Sequence, residues 1–162
     1  MLNMKNIKKF WRWLLIALGF VVIRSTSCTK EEYPLVYYSD IEFNVFEQIN
    51  KYRISLGLTM CKQNNHISEI AKTHSQFMID GAKVSHDNFA KRADILMCKI
   101  DAKSVGEVVG FGYATAEGVV KGWIKSESHN QIITGKSWTD FGVSAIQNEK
   151  GRYYFTLIFT RQ

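Results

Sequence analysis

The chain lacks an apolar run long enough to form a membrane-spanning helix. The run from Trp13 to Ile23 has 11 residues, whereas a helix that crosses a bilayer needs about 20. Four basic residues precede this run, and small polar residues follow it up to Cys28. A basic start, a short apolar centre and a small-residue end are typical of a secretory signal. We therefore predict that residues 1–27 are a signal peptide and that the protein is exported.

The chain also lacks a basic surplus outside this leader. Five of its 21 Lys and Arg residues, and none of its 15 Asp and Glu residues, lie in residues 1–27. The formal net charge of +6 therefore falls to +1 over residues 28–162. Binding of nucleic acid requires clustered basic charge, so we expect no nucleic-acid partner.

Cysteine is scarce, with three residues in the chain. Cys28 follows the small residues 25–27, where a bacterial lipoprotein signal is cleaved and its cysteine lipidated. We favour this interpretation over a free or disulfide-bonded Cys28, because the cysteine directly follows small residues at the end of the signal. Acyl chains on the cysteine would hold the protein firmly on a membrane. The protein is then a lipoprotein of the cell envelope or cell surface, and the alternative is a secreted soluble protein. Residues 28–38, which contain the only proline, are expected to be a tether.

Cys61 and Cys98 remain as a pair in an exported, oxidising environment. They lie 37 positions apart, and a strain-free bridge between them would stabilise the fold by about 3–4 kcal/mol. The alternative is that both are buried thiols that pack as small apolar side chains. The sequence leaves both interpretations open.

Hydrophobic periodicity predicts alternating helices and strands in a single domain over residues 39–162. Four helices are predicted, at about 40–56, 67–80, 86–97 and 116–123, with Gly81 as the C-cap of the second. Three strands are predicted, at 104–113, 138–146 and 152–160, with a turn at 148–151. The first and last strands show no alternation of polar and apolar residues, so both of their faces should be covered. Helices before, between and after such strands predict a sheet sandwiched by helices.

Three polar residues in separate segments are the strongest candidates for a functional site. Glu107 lies within an apolar strand, where an unpaired carboxylate is costly to bury. Imidazoles are common partners of such a carboxylate and titrate near neutral pH. We therefore expect His86 and His129 to meet Glu107 in one site. The alternatives are that Glu107 reaches solvent at a strand edge and that His129 is a polar helix terminus.

Two further histidines are expected to have structural or solvated roles. His74 lies on the apolar stripe of the second predicted helix, so we expect a hydrogen-bonded core residue. His66 lies at the start of the same helix, where a solvated or capping role is the default expectation.

Several short motifs follow one another along the chain. They are Asn50–Arg53 with Gly57–Leu58, Ala71–Met78, His86 with Phe89 and Arg92, Gly106–Glu107, Trp123 with Ser126 and His129, Phe141–Val143, and Tyr153–Phe159. In their order and spacing, from about Asn44 to Phe159, the sequence resembles the CAP superfamily, whose domains are also called SCP domains. This family comprises cysteine-rich secretory, antigen 5 and pathogenesis-related proteins and includes compact bacterial members. The resemblance implies an α+β fold, a three-layer α-β-α sandwich.

The chain departs from the family pattern at positions that bear on chemistry. Val108 replaces the usual asparagine after the site glutamate, and Ser126 stands where many eukaryotic members have a second glutamate. The resemblance thus implies a reduced site of His86, Glu107 and His129, with Glu127 as a candidate fourth residue.

These features favour a binding module over an enzyme. No serine or cysteine lies in a nucleophile-elbow motif, so we expect a cleft that binds a small molecule, lipid or partner protein without a required cofactor. The alternative is a hydrolase dependent on zinc or another divalent metal, with His86 and His129 as ligands and Glu107 as base. A third interpretation is that the three residues only fasten the sheet to its helices.

Overall fold

The fold is seen in a computed structural model that describes residues 37–162. The predicted signal peptide, Cys28 and most of the predicted tether lie outside the described residues. Within them, no helix has the length and apolar character needed to cross a membrane. The described elements are α1 (Asp40–Ser55), β1 (Lys62–Gln63), α2 (Asn65–Asp80), α3 (Phe89–Ile100), β2 (Ser104–Phe111), α4 (Ala116–Lys125), α5 (Glu127–Ile133), β3 (Asp140–Gln147) and β4 (Tyr153–Arg161).

A four-stranded sheet in the order β1-β3-β4-β2 forms the centre of the domain. β3 and β4 form an antiparallel hairpin, β2 pairs antiparallel with β4, and the two-residue β1 pairs parallel with β3. β2 therefore lies at one edge, in a register that places Glu107 opposite Ile158. Gly151 turns the hairpin with a φ of 70°, a conformation that glycine adopts without strain.

Helices cover both faces of this sheet and make the predicted α-β-α sandwich. One apolar core joins α1, α4 and α5 to the sheet through residues such as Ile49, Trp123 and Phe155. The other face carries α2 and α3, which bury Ile67 and Leu96 against the sheet. The central residues of β2 and β4 are buried, as their lack of alternation predicts. The α+β sandwich is thus confirmed.

The predicted boundaries shift where single residues break helical geometry. α3 begins at Phe89 and not at residue 86, because Asn88 adopts a left-handed conformation with a φ of 62°. His86 is therefore a loop residue. Gly81 is the C-cap of α2 as predicted, but with a φ of −81°; the left-handed residue is Ala82, with a φ of 47°.

Two short elements were not predicted from the sequence. β1 is too short to show a periodic pattern, and it is held through backbone pairing with β3. The extended backbone of Ser126 separates α4 from α5. His129 consequently lies inside a second short helix and not just past the end of the first.

Candidate functional site

A buried carboxylate, Glu107, is the centre of the candidate site. Val105, Glu107 and Val109 alternate with Gly106 and Gly110 along β2. The two glycines face the layer of α4 and α5, where an added Cβ would crowd Trp138 and Ile132 at Gly106, and Val119 and Trp123 at Gly110. Glu107 therefore faces α2 and α3, and its side chain is 1 % exposed.

Arg92 on α3 neutralises this carboxylate with two parallel hydrogen bonds. Its Nε donates to Oε2 at 2.8 Å and its Nη2 donates to Oε1 at 2.7 Å. Such a bidentate, charge-assisted pair fixes both position and charge. The remaining Nη1 donates to the carbonyl of Asp87 at 2.7 Å, so Arg92 also ties the loop before α3 to the carboxylate.

His86 connects the buried pair to the surface. Its Nδ1 lies 2.9 Å from Oε1 of Glu107 and acts as the donor, because an ionised carboxylate only accepts. Its side chain is 51 % exposed. The predicted contact between His86 and Glu107 is therefore present, and Glu107 reaches the surface only through this imidazole.

His74 on α2 lies behind the same carboxylate. Its Nε2 donates to the carbonyl of Ser85 at 2.8 Å and lies 3.7 Å from Oε1 of Glu107. The ring is fully buried and stacks on Phe77, which confirms the expected hydrogen-bonded core residue. Burial lowers the pKa of His74, against the opposing charge of Glu107. By holding Ser85, His74 braces the residue next to His86.

His129 approaches from the opposite layer and lies near His86 without joining the buried pair. Burial, followed by the charge of His86, lowers the pKa of His129. Within residues 37–162 its ring makes no hydrogen bond or ion pair. The structure therefore associates His129 with His86 and not directly with Glu107. Glu127, the candidate fourth residue, is exposed in the first turn of α5.

The donor set does not fit a catalytic zinc site, which uses three protein ligands. Both oxygens of Glu107 are already occupied by Arg92 and His86, so His86 and His129 are the two ligands left. Across the described part of the chain, no group of three or more His, Cys, Asp or Glu residues is arranged to hold a metal ion.

The comparisons with known proteins agree with this architecture. The profile described as "CAP: Cysteine-rich secretory protein family" matches residues 46–159, well over half of the chain. The chain belongs to the CAP family. A Bacillus subtilis protein, "Uncharacterized protein YkwD", is 31% identical over 113 residues, covering 68% of this chain and 44% of its own length.

Solved structures show the same CAP fold at low sequence identity. An outer surface protein of Borrelia burgdorferi has a TM-score of 0.65 at 16% identity, covering 79% of this chain and 99% of its own. An extracellular SCP-domain protein of Bacillus anthracis has a TM-score of 0.69 at 20% identity, covering 81% of this chain and 45% of its own. The chain thus spans less than half the length of its Bacillus relatives and nearly all of the Borrelia protein.

The cysteines of this CAP domain do not form the bridge that the sequence allowed. Cys61 is a free, buried thiol, whereas Cys98 is disulfide-bonded, so a Cys61–Cys98 pair is wrong. Cys61 is held in place by Asn50, whose side chain accepts from its N–H and donates to its carbonyl. Burial raises the pKa of this thiol to about 11, which makes it inert at neutral pH.

Arg92 is the site residue that sequence reasoning did not assign. It belongs to the CAP motif with His86 and Phe89, but the motif alone gives it no function. Its position in the first turn of α3, five residues after Asp87, could have indicated that it anchors the His86 loop. The substituted Val108 faces the α1–α4 core and is fully buried, so it adds no polar group to the site.

Proposed function

We propose that this CAP domain is an exported binding module whose contact surface is centred on His86 and His129. The observation that supports the proposal is the saturation of Glu107: Arg92 and His86 occupy both carboxylate oxygens. A carboxylate engaged in this way is a poor general base, since it is buried, paired with a guanidinium and already accepts hydrogen bonds on both oxygens. It serves instead to orient the exposed imidazole of His86 toward a ligand.

The relatives support export of this domain. One is named an outer surface protein and another an extracellular protein, and the sequence carries a predicted signal peptide. We further propose that Cys28 is lipidated, which would place the domain at the cell envelope or surface. Because Cys61 is free and Cys98 is disulfide-bonded, the competing arrangement is a Cys28–Cys98 disulfide, which would exclude the lipid. Thioether lipidation consumes the Cys28 sulfur, so intact mass distinguishes a lipidated chain from one in which Cys28 pairs with another cysteine.

Photo-crosslinking tests the proposal whatever the chemistry of the ligand. Asp87 is exposed beside His86, and the substitution Asp87→p-benzoylphenylalanine would place a photoreactive probe there in the intact producing cell. We expect adducts whose mass identifies a small molecule, a lipid or a protein. The adducts should disappear when His86→Ala and His129→Ala are combined with the probe.

The same probe at Lys72 is the matched control. Lys72 is exposed on α2 and lies neither in the loop of His86 nor on the helix of His129. The adducts of a probe at this position should therefore not change when the two histidines are replaced. An Asp87 probe that forms no adduct, or adducts that persist after both histidines are replaced, would contradict a binding surface at this position.

The metal-dependent hydrolase is not favoured, because it requires a carboxylate that Arg92 already neutralises. Titration calorimetry with Zn²⁺ separates the two functions. We expect no heat that depends on His86 and His129. A saturable heat in the wild type that is absent from the double alanine variant would restore the metal hypothesis.

A further inference from the structure

The turn between α1 and β1 presents an unusual group of exposed apolar side chains. Ile54, Leu56 and Met60 are 56 %, 50 % and 56 % exposed. Single exposed apolar residues are common on protein surfaces, but three on one short ordered segment make that segment a candidate interaction site. We call residues 54–60 the α1–β1 corner.

Buried polar side chains hold this corner in one conformation. The fully buried Arg53 donates from Nε to the carbonyl of Thr59 at 3.1 Å. Its own carbonyl accepts from the N–H of Leu58, and Gly57 reverses the chain with a φ of 72°. Asn50 fixes the far end through Cys61. The apolar side chains are therefore displayed by a braced turn.

Lysines predominate around the corner. Glu117 of α4, which lies near Lys51, is paired with Lys121, and Asp140, which lies opposite Lys62 in the sheet, is buried. No acidic residue occurs from Gln48 to Ser68, and Lys51 and Lys62 flank the corner with exposed side chains. Arg53 also donates to the carbonyl of Gly135 at 3.0 Å, which brings the exposed Lys136 alongside. Lys51, near the end of α1, also interacts favourably with the helix dipole. Its charge therefore indicates an interaction site only together with the exposed apolar side chains of the corner.

We propose that the α1–β1 corner docks on the surface of an anionic phospholipid bilayer. Apolar side chains surrounded by lysines are the combination that binds such an interface. This docking does not involve His86 or His129. A negative result for either proposal therefore leaves the other unchanged.

The chain preceding the domain allows this orientation if Cys28 carries a lipid. α1 has 16 residues and is about 24 Å long, which separates its start from the corner. Tyr38 is held on α2 by hydrogen bonds to Asn65 and Ser68, so the reach of the chain is that of the nine residues from 28 to 36, about 30 Å when extended. A chain anchored at Cys28 could therefore lay α1 along the bilayer and bring the corner into contact.

Vesicle binding by the unlipidated chain that starts at residue 28 tests the proposal. The probes are vesicles of phosphatidylcholine alone and vesicles of phosphatidylcholine with phosphatidylglycerol, and binding is measured by co-sedimentation. We expect binding to the anionic vesicles only. Each of Lys51→Gln and Lys62→Gln should weaken it about fivefold, and Leu56→Gln with Met60→Gln by at least about tenfold.

Matched surface variants outside the corner control for general effects. Met97→Gln and Lys91→Gln replace an exposed apolar residue and an exposed lysine on α3, and both should bind as the wild type does. Equal binding to neutral vesicles, absence of binding, or equal losses in the α3 controls would overturn the proposal. A dimer that dissociates in the Leu56→Gln, Met60→Gln variant, without vesicle binding, would assign the corner to a second copy instead.

Discussion

Replacement of Glu107 by glutamine tests the central contact of the site. The substitution keeps the size of the side chain and removes its charge. It leaves the Arg92 guanidinium, whose side chain is 9 % exposed, without an ionic partner. It also replaces one acceptor oxygen by an amide that cannot accept from His86 or Arg92. The perturbation therefore acts on charge and hydrogen bonding without creating a cavity.

The expected loss of stability follows from these contacts. Removing one partner of a buried ion pair costs about 3–5 kcal/mol, because the other charge stays buried and unpaired. Glutamine retains one acceptor, so we expect the lower end, about 3 kcal/mol. For a domain of this size each kcal/mol lowers the melting temperature by about 3–4 °C, and the variant should melt about 10 °C below the wild type.

A double-mutant cycle with Arg92→Met identifies the source of the loss. The double variant should be more stable than the sum of the two single effects by at least about 1 kcal/mol, since the unpaired guanidinium is gone. Glu117→Gln, which removes a solvent-exposed pairing with Lys121, is the control and should leave the melting temperature unchanged. Additive single effects, or a Glu107→Gln loss below about 1 kcal/mol, would show that the ion pair with Arg92 is not what Glu107 contributes to stability.

The same variant separates a positioning role for Glu107 from a purely structural one. If Glu107 orients His86, Glu107→Gln should reduce crosslinking from the Asp87 probe at temperatures where the domain is still folded. Crosslinking that is unchanged in the folded variant would show that the carboxylate only fastens β2 to α3.

Three further predictions concern residues around the site. The pKa of His74 is lowered from 6.5 mainly by burial, so the unfolded chain binds a proton at this residue more readily than the folded domain does. The free energy of unfolding should therefore fall as the pH drops below about 6.5. Chemical denaturation at several pH values should show a smaller fall for His74→Gln. Cys61 should resist alkylation at pH 8 until the protein unfolds, and a non-reducing peptide map should contain no Cys61–Cys98 peptide. Gly142→Ala should destabilise the domain by several kcal/mol, since its Cβ would collide with the α2 backbone; Gly81→Ala has room and should melt within a few degrees of the wild type.

The position of Glu107 could be inferred from sequence, but the identity of its main partner could not. An apolar strand that contains a single carboxylate implies burial with a partner, whatever the surrounding fold. The pairing with Arg92 depends on where α3 begins and how it packs against β2, and α3 begins after the left-handed Asn88. Such a conformation is uncommon outside glycine and cannot be read from hydrophobic periodicity.

The location of His129 shows the same limitation. The sequence predicts a position beyond the end of a helix, because the apolar spacing stops at Trp123. In the structure the chain breaks at Ser126 and resumes as α5. This helix contacts β2 and brings His129 within range of the charge of His86. A one-residue break between two short helices depends on how they pack against the sheet. Local helix propensity does not specify this packing.

The layered α+β fold, the CAP motifs and the three segments that contribute to the site can be inferred from the sequence, because they depend on periodicity and on residue order. Contacts between elements show that Arg92 and His86 occupy both oxygens of Glu107, that His129 is associated with His86, and that Cys61 does not pair with Cys98. These outcomes depend on distances between atoms of different elements. Packing of α2, α3 and α5 against β2 sets those distances, and no local pattern in the chain specifies them.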